Sequence, residues 1–134
     1  MQAPKNTDLY ETASSVTWLD EDGIICSVAK KAPPQTLEQA KKEIEGFRKK
    51  YGDKKYCMLL DITNAPPSSK EVRDWAAPEL SKMVIAIAMI SESALGRMIA
   101  NLFFGLKKPA YFTKMFSNEQ KAREWLMHYL SKSK

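Results

Sequence analysis

Two uninterrupted apolar runs, YCMLLDI beginning at Tyr56 and VIAIAMI beginning at Val84, limit what this chain can become. Neither run alternates with polar residues, so each reads as a strand covered on both faces rather than one with a wet side. Between them Val72, Trp75 and Ala76 recur at helical spacing. Strands joined through a helix need a crossover connection, which favours parallel pairing. The fold class expected is therefore α/β.

The rest of the chain fits around that unit. In SVTWLDEDGIICSV two strand-like runs flank Asp20–Gly23, where Asp-Gly supplies the positive φ of a tight hairpin. After Pro33-Pro34, Thr36 and Gln39 make a capping-box pattern, and Leu37, Ala40, Ile44, Phe47 and Tyr51 share one helical face that Gly52 is suited to end. The loop NAPPSS follows the first apolar run, and Ser68 with Glu71 repeats the capping pattern. Pro78 predicts a kink or restart near Ala77, because proline cannot donate to the carbonyl four residues back. Beyond the second run, Ala94, Leu95, Met98, Ile99, Leu102, Phe103 and Leu106 form a broad helical core stripe. YFTKMF reads as a last, more exposed strand. Ser117 and Gln120 then cap a closing helix that buries Ala122, Trp125, Leu126, Tyr129 and Leu130. The predicted order is β-β-α-β-α-β-α-β-α, a mostly parallel sheet with an antiparallel first strand. Residues 1–13 carry no apolar period and read as a flexible N-terminal arm, leaving 14–134 as a single domain.

Composition excludes several functions. The apolar stretch from Val84 to Leu106 is long enough to suggest a membrane span, but Ser91, Glu92, Ser93, Arg97 and Asn101 interrupt it, and each central charge costs at least about 2.5 kcal/mol. No transmembrane segment is expected. MQAPKNTDLY has no secretory pattern, and Cys26 and Cys57 sit in strand-like runs without CxxC spacing, so reduced buried thiols and a cytoplasmic location are expected. The formal charge is +5, yet Glu38, Glu43, Glu45 and Asp53 interleave with the basic clusters as on a solvated face; nucleic-acid binding is not expected. The five glycines are scattered, so no phosphate-cradling loop exists. His128, the one histidine, falls late on the closing helix with no nucleophile motif around it, and Asp61 at a strand end reads as a loop-amide acceptor. No catalytic residue, metal ligand or cofactor is expected.

YCMLLDITNAPPSSKEVRDWA, VIAIAMISES with ALGRMIANLFFGLKKP, and FSNEQKAREWL together resemble an uncharacterised bacterial branch of the STAS-like proteins, named for sulphate transporters and anti-sigma-factor antagonists. The resemblance covers roughly Tyr56 to Leu130. It implies a βα superhelical, non-enzymatic domain acting through surfaces and helix ends as a regulatory or protein-interaction module. In anti-sigma-factor antagonists the loop after the central strand carries Asp-Ser-Ser-Gly with a phosphorylated serine. Here the matching stretch is PPSSKEV: Ser68 and Ser69 remain, while the preceding Asp and following Gly are absent. Ser68 and Ser69 are read as helix-cap residues, with phosphorylation the alternative.

Removing the core stripe from the third helix leaves Arg97, Asn101 and Phe104 at i, i+4 and i+7, one face beside Gly96, Ala100 and Gly105. A cation, an amide and an aromatic among small residues suit contact with a protein partner or a second copy in a homodimer. The alternative is a small apolar ligand or an anionic membrane surface, with Phe103, Phe104 and Met98 lining a groove and Lys107 and Lys108 meeting a headgroup.

Overall fold

The computed structural model describes residues 1–94, 96 and 111–132. Its elements are β1 (Tyr10–Glu11), β2 (Ser15–Leu19), β3 (Ile25–Ala29), α1 (Leu37–Tyr51), β4 (Tyr56–Asp61), α2 (Lys70–Ser81), β5 (Val84–Ile90), β6 (Phe112–Phe116) and α3 (Glu119–Lys132). Six strands form one sheet in the order β1-β2-β3-β4-β5-β6. The first three are antiparallel, and β3 to β6 are parallel. No helix among the described residues is long and apolar enough to cross a membrane.

Strand alternation divides the core into two layers. Cys26, Cys57, Leu59, Ala86 and Ala88 point to one face and meet Ala122 and Leu126 of α3. Ile25, Met58, Val84 and Ile87 point to the other and meet Phe47 of α1 and Leu80 of α2. Val84 and Ile87, three apart, would lie on opposite faces of a regular strand. They share one because the ladder pairs Tyr56 with Val84 but Cys57 with Ala86, leaving Ile85 as an extra residue. Leu59, Ile87 and Leu126 are at most 1% exposed, each worth about 1.5–3 kcal/mol of apolar burial.

Local chemistry sets the element ends. Thr36 caps α1 in a full capping box with Gln39, and Gly52, at φ 83°, ends the helix by donating its N–H to Arg48 O. Gly23 takes φ 83° in the β2–β3 turn. There Asp20 Oδ1 accepts the N–H groups of Asp22 and Ile24, both at 2.9 Å.

Four expectations change. Ser69, not Ser68, is the N-cap of α2; its Oγ accepts Val72 N–H at 3.2 Å, so the pattern Ser68-x-x-Glu71 is not the box in use. At α3 the acceptor is Asn118 Oδ1, taking Lys121 N–H at 2.9 Å, rather than Ser117. Lys70–Ser81 is one continuous helix with Pro78 inside, so the helix does not restart near Ala77. The arm also contributes structure: Tyr10–Glu11 adds a two-residue antiparallel strand against Val16 and Thr17.

Candidate functional site

In a parallel layer the helices start where the strands end, so the loops before α1 and α2 meet above the carboxyl ends of β3 and β4. They enclose a groove of about 200 Å³ there. Ser27 and Leu60 lie on its strand side, and Pro33 and Gln35 enter from the loop before α1. Ala65 and Ser68 enter from the loop before α2. The loop is shaped by Asp61, whose Oδ1 accepts Thr63 N–H at 3.1 Å, and by the Ala65 N–H to Ile62 O bond at 3.0 Å. Asp61 Oδ2 lies 3.5 Å from the Met1 ammonium. Ser27 Oγ pairs with Thr17 Oγ1 at 2.9 Å. Ser69 directs its oxygen at the α2 backbone, whereas Ser68 is exposed on the lip. The two adjacent serines therefore have separate positions: one holds the helix start and the other faces the groove.

A second cleft, of about 610 Å³, lies between the N-terminal residues, the β2–β3 turn and the start of α3. Its wall holds a network that sequence reasoning did not find. Arg123 Nη1 bonds Asp20 Oδ2 at 2.7 Å, its Nε bonds Glu119 Oε2 at 3.0 Å, and its Nη2 lies 3.5 Å from Cys26 Sγ. Burial alone would lower the Arg123 pKa, but the hydrogen bonds to Asp20 and Glu119 outweigh it and leave it raised. Burial first, then the neighbouring Asp20 charge, pushes the Cys26 thiol up to about 12. Burial also raises the Cys57 thiol. Both cysteines are free and fully buried, so neither has the exposure or the lowered pKa of a nucleophile. Asp20 announces itself as a turn residue, but nothing in the sequence joins it to an arginine 103 positions away.

His128 is exposed on α3 beside Tyr129. Among the described residues no group of three His, Cys, Asp or Glu side chains is placed to hold a metal ion. The expected contact residues Arg97, Asn101, Phe104, Lys107 and Lys108 lie outside the described residues. Several basic clusters are internally matched: Lys30 pairs with Glu11 and Lys50 with Asp8, at 2.6 and 2.7 Å, and Arg48 pairs with Glu79.

Residues 17–130 match the model of a family described as Domain of unknown function (DUF7793). The chain belongs to that family. A solved structure of an uncharacterized protein of the DUF3478 family with a SpoIIAA-like fold, from Shewanella loihica PV-4, is similar over 94% of this chain and 98% of that one. Its TM-score is 0.60 and its identity 15%. A protein of unknown function from Arthrobacter sp. FB24 covers 83% of this chain and 97% of its own at 25% identity, but with a TM-score of 0.30 it carries no argument. No curated protein matches. The DUF7793 chain thus has a STAS-like fold, the architecture its sequence resembles.

Proposed function

We propose that this DUF7793 chain is a non-enzymatic STAS-like module that works by binding protein, a second copy of itself included. The observation that carries the reading is the open groove between the starts of α1 and α2, with Ser68 exposed on its lip and Ser69 committed to the cap. Binding residues concentrate on loops held by a rigid scaffold, and two such loops build this groove. Its mixture of small apolar and hydroxyl-bearing walls suits a protein surface. Residues 14–134 act as one unit in this reading, and Arg97, Asn101 and Phe104 extend the contact face.

Sedimentation velocity across a concentration series tests it. Wild-type protein self-associates, while Ala65→Arg in the groove, or Arg97→Glu with Phe104→Ser, weakens association at least about tenfold, a loss of about 1.4 kcal/mol, with an unchanged circular dichroism spectrum. A wild-type monomer at all concentrations, carrying a retained lipid by native mass spectrometry, would replace protein binding with amphiphile binding.

A further inference from the structure

The residues before β2 run from one face of the sheet to the other. Met1 and Ala3 pack with Val16, Trp18 and Val28 on the α3 side. Tyr10 packs with Ile44, Phe47 and Tyr51 on the α1 side. Between these two points the chain passes around β2 and pairs with it through only two residues.

Polar contacts tie this segment down at both ends: the Met1 ammonium lies 3.5 Å from Asp61 Oδ2, and Lys30 Nζ pairs with Glu11 at 2.6 Å. Tyr10 Oη donates to Glu43 O at 2.8 Å, and Asp8 pairs with Lys50 at 2.7 Å with its own side chain 85% exposed, a pair that water and salt largely screen. Gly46 makes the first contact geometrically feasible, since a Cβ there would lie 2.4 Å from Tyr10 Oη. The base of the segment is better fixed: Thr12 N–H donates to Ser15 O at 2.9 Å, and Thr12 Oγ1 accepts the N–H groups of Ser14 and Ser15 at 3.1 Å.

One feature opposes closure. Tyr51 Oη is buried with no hydrogen-bond partner among the described residues, and such a hydroxyl regains water when its cover lifts. Burial first, then the nearby Asp8, Tyr56 and Tyr10, raises the Tyr51 phenol pKa, which places two residues of the segment among its cover.

We propose that residues 1–11 form a strap that opens as a unit about the Thr12–Ser15 turn while β2 to β6 stay folded, uncovering the edge of β2 and the apolar patch around Trp18. The strap touches the groove at the ends of β3 and β4 through the Met1 contact with Asp61, but it does not depend on what that groove binds. Opening frees the orphaned phenol to meet water and releases the closing contacts of Tyr10 and Asp8 together, because both sit on the same short segment.

Native-state hydrogen exchange and limited chymotrypsin digestion at Leu9 and Tyr10 test the strap, under conditions where cleavage follows the open population. In the wild type, the amide of Tyr10, paired with Thr17 across the β1–β2 ladder, exchanges at least roughly a hundredfold faster than the amides of Leu59 and Ile87. Gly46→Ala displaces the Tyr10 ring and raises cleavage about tenfold, whereas Tyr51→Phe removes the orphaned hydroxyl and lowers it severalfold, with circular dichroism unchanged in both. Exchange of the Tyr10 amide at the same rate as the core amides overturns the proposal, as does cleavage unmoved by Gly46→Ala or raised by Tyr51→Phe. Should Gly46→Ala fail to fold, wild-type exchange and Tyr51→Phe decide.

Discussion

Arg123→Met removes the guanidinium that ties α3 to the β2–β3 turn and keeps most of the aliphatic stem. The Arg123 side chain is 28% exposed and that of Asp20 9%, so their 2.7 Å bond lies between a fully buried pair and a surface one. A hydrogen bond to a charged partner contributes about 1.5–3 kcal/mol. The exposed i, i+4 contact with Glu119 adds about 0.3–0.5 kcal/mol. The variant leaves Asp20 without its cation but with two backbone donors on Oδ1, which keeps the penalty below the roughly 3–5 kcal/mol of a broken, fully buried pair. The expected loss is about 2–3 kcal/mol. At about 4 °C per kcal/mol for 134 residues, the melting temperature falls by roughly 8–12 °C. Urea denaturation of wild type, Arg123→Met, Asp20→Asn and the double variant isolates the coupling, expected at about 1.5–3 kcal/mol. A loss under about 0.5 kcal/mol in Arg123→Met, or additive single variants, would refute the claim that this network joins turn to helix.

Ser69→Ala is expected to cost about 0.5–2 kcal/mol through loss of the α2 cap, and Ser68→Ala to stay within about 0.5 kcal/mol of wild type, both read by urea denaturation. Because the Cys26 pKa is raised from 9.0 to about 12, its contribution to stability is full below about pH 9 and is lost as pH rises through about 12. The same burial predicts that a thiol reagent at neutral pH labels neither cysteine until the chain unfolds; rapid native labelling would contradict it. His128→Gln should leave stability within about 0.5 kcal/mol and self-association unchanged by sedimentation, since the ring is exposed and away from the groove.

Features carried by period or by a demanding backbone conformation were legible in the sequence. The unbroken apolar runs of β4 and β5 announced a doubly covered parallel layer, and Gly23 and Gly52 occupy positive-φ positions that few other residues tolerate. The caps were read to within one residue, because Ser68 and Ser69, or Ser117 and Asn118, offer equivalent oxygens and only the direction of chain entry selects between them. Pro78 read as a kink or restart because a local rule weighs the one lost donor and not the packing of Val72 and Leu80 on either side of it. Tyr10 and Gly46 were opaque for the opposite reason: a two-residue strand has no period, and a helix glycine reads as a weakness until a distant phenol is seen to occupy its space. The groove has the same character. Ser27 and Ala65 are unremarkable in sequence and become neighbours of Ser68 only because parallel strands bring successive loops to one end of the sheet.

Backbone amide spectra recorded by NMR between dilute and concentrated protein test the binding-module reading most directly. The account predicts that shift changes and line broadening with concentration gather at Ala65–Ser68 and Gln35 around the groove, together with residues 97–108, and disappear in Ala65→Arg. Changes confined to β6 and the outer side of α3, or none at any concentration together with no effect of Ala65→Arg, would contradict it.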